Sequence, residues 1–259
     1  MSIDSPAPMV IAHRATMGHA PENTLRGLRA GLAMGVDGIE IDVQLSADGV
    51  AVLMHDTELD RTTDGRGPVA SQPWASLQSL DAGDGEHVPS LAEALDIVGR
   101  QATLIIEVKT GPGQISDDLV SAVAREVRQR DLTRHAWLWS FDAALLQAMS
   151  AIARDIPIAH LCRAPTDEVL ARVATLRLDG VSMHGSQVTA ENVATLRAKQ
   201  LQVFAWTVNE PEHLARLAAL GSRGEGRATG GLTGIVGDYP ERISTAITNI
   251  ARDDSPAVV

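Results

Sequence analysis

Short hydrophobic runs rich in Val, Ile and Leu alternate with longer amphipathic stretches along the whole chain. The runs have the length and composition of β-strands. They lie at 9–13, 38–45, 50–55, 103–108, 136–140, 157–161, 180–183, 202–207 and 234–236. Between them, apolar residues recur at helical spacing, as at Leu25, Leu28 and Leu32 before Gly35. This alternation predicts an α/β fold in which parallel strands are joined by helices.

Capping signals mark the ends of several predicted helices. Ser90-Leu-Ala-Glu93 has the spacing of a capping box, which predicts a helix that begins here and ends near Gly99. Asn209 stands where an N-cap of a further helix is expected, and Gly221 follows that helix. No repeat and no low-complexity linker divides the chain, so we expect a single domain over residues 1–259.

Two of the strand-like runs are too close together to be parallel neighbours. Only Ser46-Ala-Asp-Gly49 separates 38–45 from 50–55, whereas a parallel crossover needs about a dozen residues or more. These two runs must form an antiparallel hairpin, for which Asp48-Gly49 is a suitable turn. Removing the returning strand leaves eight parallel strands, the number that closes a (β/α)₈ TIM barrel.

The length of this turn decides which residue of the first strand lies opposite His55. A four-residue turn over 46–49 would place His55 opposite Glu40. A two-residue turn at Asp48-Gly49 would place it opposite Asp42 instead. In either register, we expect His55 to return to these two acids.

Glu40 and Asp42 lie two residues apart in the run 38–45. Side chains alternate between the two faces of a strand, so both carboxylates project to the same side. Adjacent acids repel each other unless a positive charge lies between them. A divalent metal ion meets this need, and the pair therefore predicts a metal-dependent enzyme.

Charged residues also occupy the ends of neighbouring strands. His13 and Arg14 end the first strand, and Glu107 and Lys109 end the third strand of the predicted barrel. The carboxyl ends of the strands form the rim where this fold gathers catalytic groups. A structural network of ion pairs is the alternative. Such a network would explain why Glu107 and Lys109 occur together. It would not explain why two adjacent acids and two histidines lie on the same rim.

The ligand types indicate which metal to expect. The three carboxylates of Glu40, Asp42 and Glu107, without a cysteine, favour one hard divalent cation such as Mg²⁺ or Ca²⁺. Nearby histidine would also make the site acceptable to Zn²⁺ or Mn²⁺.

A phosphodiester substrate fits this set of groups. Its non-bridging oxygens carry negative charge, which Arg14, Lys109 and a metal ion would stabilise. Cleavage needs one base that activates a nucleophile and one acid that protonates the leaving alkoxide. Histidine suits both roles near neutral pH, so His13 and His55 are the candidate catalytic residues.

The composition argues against several other function classes. The chain has 259 residues, 44% of them hydrophobic, and a net charge of −11, which disfavours binding to nucleic acid or anionic membranes. No window approaches the roughly 20 apolar residues of a membrane span, and no signal-peptide pattern opens the chain. Cys162 is the only cysteine. We therefore expect a cytoplasmic protein with a small-molecule substrate and no stable membrane insertion.

A series of short motifs runs in order through residues 9–245. The motifs are His13-Arg14, Ala20-Pro-Glu-Asn-Thr24, Ile39-Glu-Ile-Asp-Val-Gln44, Asp48-Gly49, His55-Asp56, Leu59-Asp-Arg-Thr-Thr63, Pro89-Ser-Leu91, Ile106-Glu-Val-Lys109, Ser140-Phe-Asp142, Trp206-Thr-Val-Asn209 and Gly237-Asp-Tyr-Pro240. Together they resemble the glycerophosphodiester phosphodiesterase family. The ordered set is highly specific, although each piece alone would be weak.

The resemblance implies a TIM barrel with a small insertion after the second strand, at about 56–89, and an enzyme of glycerol and lipid metabolism. Such an enzyme would hydrolyse glycerophosphodiesters to glycerol 3-phosphate and an alcohol. The glycerol hydroxyl beside the phosphoester would attack phosphorus first. Carried over by motif, the roles are metal binding for Glu40, Asp42 and Glu107, acid and base for His13 and His55, phosphate binding for Arg14 and Lys109, and the glycerol pocket for Trp206.

The chain departs from the family pattern at three places. Ala15 stands where the family has glycine, and its methyl group would be harmless only if φ is negative. His19 replaces an aromatic residue before Ala-Pro-Glu-Asn. The segment 221–231 is longer and richer in glycine, which favours a surface loop over a mobile lid that carries Arg223 or Arg227.

The sequence is also compatible with two alternatives. A lysophospholipase D-like hydrolase would use the same chemistry, and a non-catalytic phosphate-binding barrel would keep the fold without turnover. Glu22 and Asn23 are as well explained by capping of the first helix as by contact with the substrate.

Overall fold

A computed structural model describes residues 7–111, 114–221 and 231–253 of the chain. Within these ranges, nine β-strands form one sheet. The strands are Met9–Ala12 (β1), Gly38–Leu45 (β2), Ala51–Leu53 (β3), Thr103–Val108 (β4), Ala136–Ser140 (β5), Ile158–Cys162 (β6), Gly180–His184 (β7), Gln202–Trp206 (β8) and Gly234–Gly237 (β9). The α-helices are Leu25–Ala33 (α1), Trp74–Leu77 (α2), Leu91–Val98 (α3), Ser116–Gln129 (α4), Ala143–Ile152 (α5), Asp167–Leu176 (α6), Ala190–Ala198 (α7), Pro211–Gly221 (α8) and Pro240–Asp253 (α9).

Eight of the described strands are parallel and close into a barrel. The strand order is β1-β9-β8-β7-β6-β5-β4-β2-β3, and β1 also pairs with β2, which completes the ring. Among the described strands, β3 pairs with β2 alone and runs antiparallel to it, outside the ring. Helices lie between consecutive barrel strands, so the predicted TIM barrel is confirmed.

Alternating side chains divide the core of the barrel into two layers. Ile11, Ile105, Trp139 and Phe204 belong to a cluster that fills the lumen. The opposite faces of the same strands pack against the helices in a larger apolar cluster. Burial on both faces is typical of a parallel sheet. Because side chains fill the lumen, the space for a ligand lies at the ends of the barrel.

The hairpin of β2 and β3 differs by one residue from both predicted registers. Leu45 pairs with Ala51, and the Ser46 backbone N–H donates a hydrogen bond of 2.9 Å to the Val50 carbonyl, which leaves a loop of residues 47–49. Gly49 has a φ of 82°, the left-handed conformation that closes three-residue hairpin loops. The predicted turns of four and two residues are therefore wrong. β3 ends before His55, which is carried by the segment that follows the strand.

The chain between β3 and α3 packs around a small apolar core of its own. This region overlaps the range predicted for the insertion and contains the 3₁₀ helix Val69–Ser71 and α2. The buried residues of this core are Val52 of β3 and, after the strand, Met54, Leu59, Val69, Leu77, Ala82 and Val88. The hairpin tip supports it, because Asp48 accepts a hydrogen bond of 2.8 Å from the Trp74 backbone.

One of the two capping predictions is confirmed and the other is wrong. Ser90 and Glu93 form the capping box of α3, which ends as predicted before Gly99. Asn209 does not cap α8, because its side chain exchanges two hydrogen bonds with Asp238. The local pattern at Asn209 is typical of a helix cap, but its side chain binds Asp238, which is distant in sequence.

The loop between β1 and α1 is tightly folded. Arg14, Ala15 and Thr16 have φ angles of 44°, 55° and 65°. Ala15 therefore lacks the negative φ that would make its methyl group harmless, and the left-handed conformation costs about 1–2 kcal/mol. A Cβ atom on Gly27 would lie 1.9 Å from the Ala15 carbonyl oxygen. Helix α1 can pack directly on this loop only because residue 27 is glycine.

Thr24, not Glu22 or Asn23, is the N-cap of α1. Its side chain accepts a hydrogen bond from the backbone of Gly27. Capping of this helix, one of the two explanations considered for Glu22 and Asn23, therefore does not account for them.

Most of the segment 221–231, which was predicted as a surface loop or a lid, lies outside the described residues.

Among the residues that the structure describes, no helix has both the length and the apolar character needed to cross a membrane.

Candidate active site

Three carboxylates lie together towards the carboxyl ends of β2 and β4. Glu40 and Asp42 share one face of β2, and the strand register pairs Asp42 with Glu107 of β4. One oxygen atom of each carboxylate lies within 4.8 Å of the others. Glu40 is 3% exposed and Asp42 is 1% exposed. Three acids buried this closely repel one another strongly unless cations are present.

Lys109 supplies the nearest positive charge to this cluster. Its Nζ lies 3.1 Å from Asp42 and 3.1 Å from Glu107. Arg14 Nε lies 3.7 Å from Asp42, and the Asn23 amide donates a hydrogen bond of 2.8 Å to the same carboxylate. Burial opposes the ionisation of Asp42, but Lys109 and the other groups around it hold its pKa below the usual range.

The other two acids are less well compensated than Asp42, although Lys109 also pairs with Glu107. Burial, together with the negative charges of Asp42 and Glu107, raises the pKa of Glu40 well above its usual value. Burial and Asp42 raise the pKa of Glu107 to about 7. Lys109 and Arg14 together carry fewer positive charges than the three carboxylates carry negative charges when ionised, so the cluster has an unmet need for positive charge. Its three oxygen donors fit one divalent cation, so this is a candidate metal site.

His13 follows β1 and lies against the cluster. Its Nδ1 is 2.6 Å from an oxygen of Asp238, and its Nε2 is 4.0 Å from Glu40. Asn209 donates a hydrogen bond of 2.6 Å to the other oxygen of Asp238 and accepts one from the Asp238 backbone. The carboxylate holds Nδ1, so Nε2 is the nitrogen that faces the acids.

His55 has the same kind of partner. Its Nδ1 is 2.6 Å from an oxygen of Asp56. Gln44, on the same face of β2 as the acids, donates to the backbone carbonyls of Met54, His55 and Asp56 and so anchors this segment. Burial is the largest influence on the pKa of His55 and lowers it. The imidazole is therefore mostly neutral at pH 7 and can accept a proton.

A charged network lies behind His55. Arg61 donates two hydrogen bonds to Glu22 and two to Asp56. Arg14 donates to Glu22 as well, at 3.2 Å. The hydrogen bonds from Arg61 are the main reason why the pKa of Asp56 lies well below its usual range. Burial opposes the ionisation of Glu22, but Arg61 and Arg14 hold its pKa low too.

Arg14 contributes to the site through both its backbone and its side chain. Its backbone N–H donates a hydrogen bond of 2.8 Å to Glu40, which fixes that carboxylate. Its Nε is buried and has no hydrogen-bond partner among the described residues. A buried guanidinium N–H without a partner is a donor that an anionic ligand could satisfy.

These groups open into a cleft of about 110 Å³. One wall of the cleft is aromatic, because Trp206 packs edge-to-face with Phe141 and with His184 at centroid distances of 5.3 and 5.2 Å. The Trp206 indole N–H donates to the Ser182 carbonyl, which fixes the ring. The cleft thus has a charged side and an apolar side, as a phosphate ester with a carbon skeleton requires.

A larger cavity of about 300 Å³ opens at the other end of the barrel. Met9, Thr103 and Arg134, which lie at the amino ends of strands or just before them, are among its lining residues. The cluster of three acids and both aspartate-bound histidines lie at the carboxyl end, where this fold places its active sites. The smaller cleft is therefore the candidate active site.

All eight residues singled out from the sequence line this cleft or lie directly beneath it. They are His13, Arg14, Glu40, Asp42, His55, Glu107, Lys109 and Trp206. Their proximity agrees with the expected site, while their individual roles stay predictions.

The partners of the two histidines were not predicted from the sequence. Asp238 lies 225 positions from His13, and its place in a family motif was the only sequence signal. Asp56 and Gln44 also stood in motifs without an assigned role. Arg61 was part of such a motif too, and nothing in the local pattern indicated its contact with Glu22.

Comparison with known proteins identifies the family. The family model described as the glycerophosphoryl diester phosphodiesterase family matches residues 13–241. The chain belongs to this family. It is similar to a glycerophosphodiester phosphodiesterase of Caldanaerobacter subterraneus subsp. tengcongensis, with 30% identity over 249 residues that cover 91% of this chain and 96% of the relative.

Solved structures of the family support the same assignment. An Oleispira antarctica phosphodiesterase in complex with its product sn-glycerol-3-phosphate matches with a TM-score of 0.83 and 30% identity, over 96% of this chain and 100% of that one. A glycerophosphodiester phosphodiesterase of Agrobacterium tumefaciens matches with a TM-score of 0.77 and 25% identity, over 92% and 99%. The resemblance inferred from the motifs is therefore confirmed.

Proposed function

We propose that this chain hydrolyses glycerophosphodiesters to glycerol 3-phosphate and an alcohol, with a divalent metal ion and two histidines. Membership of the glycerophosphoryl diester phosphodiesterase family supports the substrate class, as does the product bound to the Oleispira antarctica relative. One observation carries the proposal most directly. Two histidines, each held at Nδ1 by an aspartate, lie in the same cleft as the three-acid cluster.

Glu40, Asp42 and Glu107 would hold the metal ion, which we propose to be Mg²⁺ or Ca²⁺ because all three donors are carboxylate oxygens. When bound, the ion would supply positive charge for the phosphate oxygens and for the charge that develops during cleavage. Lys109 already bridges two of these acids, and its charge would act on the same phosphate.

The substrate would lie between the charged and the aromatic sides of the cleft. Arg14 offers a buried Nε without a hydrogen-bond partner, which would donate to a phosphate oxygen. Trp206 and Phe141 form an apolar wall that would contact the carbon atoms of the glycerol group. This arrangement would bring the hydroxyl next to the phosphoester close to phosphorus, where an intramolecular attack gains the advantage of proximity.

The histidines would move the protons. One Nε2 would take the proton of the attacking hydroxyl, and the other would donate a proton to the departing alcohol. Water would then open the cyclic phosphate with these roles reversed. The lowered pKa of His55 favours its neutral, proton-accepting form at neutral pH. Asp238 and Asp56 would keep the correct ring nitrogens directed at the substrate.

The barrel and the region at 56–89 would act as a single domain in this scheme. The contact of Arg61 with Glu22 joins this region to the loop that precedes α1. We therefore propose that neither part forms a complete site alone.

The test is turnover of a panel of glycerophosphodiesters and lysophospholipids with Mg²⁺ or Ca²⁺. We expect release of glycerol 3-phosphate from glycerophosphodiesters. His13→Ala and His55→Ala should each lower kcat on the order of a hundredfold or more. His213→Ala, on the exposed side of α8, is the matched control and should keep the rate of the natural protein.

Three outcomes would contradict the proposal. Faster cleavage of lysophospholipids than of glycerophosphodiesters would indicate a lysophospholipase D-like enzyme. Binding of glycerophosphocholine without turnover would indicate a non-catalytic phosphate-binding barrel. Near-full activity of either histidine variant would remove that residue from the mechanism.

A further inference from the structure

We propose that Arg61 is a positioning residue for His55, which it holds in place through Asp56. We call Glu22, Asp56 and Arg61 the Arg61 clamp. The inference rests on the proposed function, since it assigns a role in the same reaction. It concerns a residue that does not line the cleft and that lies outside the barrel strands.

The geometry of the clamp uses all three nitrogen atoms of the guanidinium group. Nη1 and Nη2 of Arg61 each donate a hydrogen bond of 2.8 Å to one oxygen of Glu22. On its other side, Nε donates to Asp56 at 2.5 Å and Nη2 donates to Asp56 at 3.1 Å. A planar fork can bind two carboxylates at fixed angles, whereas a lysine ammonium is a single point charge.

Asp56 transmits this constraint to the imidazole. One oxygen of Asp56 lies 2.6 Å from His55 Nδ1. The segment has left β3, and Gln44 holds only its backbone. The Asp56 side chain is 30% exposed, so burial alone does not fix its orientation. Arg61 is the group that fixes the carboxylate, and through it the tautomer and direction of the ring.

The other histidine has a comparable arrangement with a different third member. Asp238 holds His13 Nδ1, and the second oxygen of Asp238 is bound by the neutral amide of Asn209. Each imidazole is therefore backed by a carboxylate that is itself held from behind. The two histidines differ in this holding group. Behind His55 it is the cation Arg61, which also binds a second acid, Glu22.

That other acid connects the clamp to the phosphate end of the cleft. The side chain of Glu22 is 10% exposed, and it also accepts a hydrogen bond from Arg14. Loss of Arg61 would leave Glu22 and Asp56 without their shared cation. Asp56 would then be free to rotate, and His55 would no longer be held in one orientation.

The kinetic test compares Arg61→Ala, Arg61→Gln and Arg61→Lys with the natural protein. Arg66→Ala is the matched control, because Arg66 pairs with Asp60 in the same region at 3.2 Å, is 79% exposed at its side chain and does not contact His55. We expect Ala and Gln to lower kcat about 10- to 100-fold, with KM changed less than about threefold, since misplacement of a catalytic group acts mainly on the chemical step. Lys should recover only part of this loss. Arg66→Ala should keep the natural kcat.

A double variant separates positioning from a general effect on folding. If Arg61 acts through Asp56, the double variant Arg61→Ala/Asp56→Asn should be no slower than Asp56→Asn alone. A purely structural role would make the two losses multiply. Multiplied losses, or a natural kcat in Arg61→Ala, would overturn the inference.

A spectroscopic measurement gives a result that does not depend on turnover. In protein with ¹⁵N-labelled histidine, a proton held between His55 Nδ1 and Asp56 should give a downfield signal, assigned by its loss in His55→Ala. This signal should persist in Arg66→Ala and broaden or vanish in folded Arg61→Ala. An unchanged signal in Arg61→Ala would overturn the inference. The natural protein could also prove inactive while the variants show these signal changes. That result would contradict the proposed function but would support the role of Arg61 in positioning His55.

Discussion

Binding of the divalent ion should release protons, because burial and the repulsion between neighbouring acids raise the pKa of two of its carboxylate ligands. Burial and Asp42 raise the pKa of Glu107 to about 7, and burial with the neighbouring acids raises the pKa of Glu40 well above its usual value. A metal ion binds the deprotonated carboxylates. The expected effect is a metal affinity that falls as the pH is lowered from 8 to 6.

The size of the effect follows from the ionised fraction of Glu107. With a pKa of about 7, this carboxyl is roughly nine-tenths ionised at pH 8 and roughly one-tenth ionised at pH 6. Its contribution alone weakens the apparent affinity about tenfold over this range, or about 1.4 kcal/mol. Glu40 adds to this in the same direction. Asp42 adds nothing, since its pKa lies below the usual range.

Isothermal titration calorimetry in two buffers with different ionisation enthalpies measures the released protons. At pH 6 we expect the release of between about one and two protons per ion bound. His13→Ala and His55→Ala are the controls and should release as many, because the protons come from the carboxylates. A binding heat that is independent of the buffer, or equal affinities at pH 6 and pH 8, would refute the reasoning.

Three further outcomes are expected. Mg²⁺ or Ca²⁺ at about 100 times its Kd should raise the free energy of unfolding by about 2.7 kcal/mol. In scanning calorimetry, Tm should rise by about 5–10 °C. A similar rise in Asp42→Asn would argue against a metal site at the three acids. Gly27→Ala should destabilise the protein by about 1–3 kcal/mol or more in urea unfolding, because the new Cβ would lie 1.9 Å from the Ala15 carbonyl oxygen. An unchanged unfolding midpoint would show that the loop between β1 and α1 can move aside. Gln44→Leu should lower the free energy of unfolding by about 1–3 kcal/mol and should also lower kcat, because the carbonyls of Met54, His55 and Asp56 lose their donor. An unchanged kcat would show that His55 does not need this anchor on β2.

The barrel and the acid cluster could be predicted because both depend on simple periodicities. The run 38–45 coincides with β2, and the two-residue repeat of a strand places Glu40 and Asp42 on one face. Parallel pairing then aligns Asp42 with Glu107 of the neighbouring strand. Each of these steps needs only the local pattern and the handful of topologies that parallel strands allow.

The hairpin register and the histidine partners depended on details that the pattern does not contain. Asp48-Gly49 suits loops of several lengths, and the left-handed φ of Gly49 selected the three-residue loop. Asn209 has the local signal of a helix cap, yet its side chain binds Asp238. The contact with Asp238 that directs His13 joins residues 225 positions apart. Asp56 is next to His55 in sequence, but the local pattern does not show that its side chain binds the ring.

In the proposed mechanism, a metal ion acts together with two imidazoles on a phosphodiester. The most direct test is the release of glycerol 3-phosphate from glycerophosphocholine by protein that has been stripped of metal and then given back Mg²⁺ or Ca²⁺. We predict that turnover is lost on stripping and returns with the ion in the natural protein, and that Asp42→Asn does not recover. Undiminished turnover by the stripped protein, or by Asp42→Asn, would contradict the account.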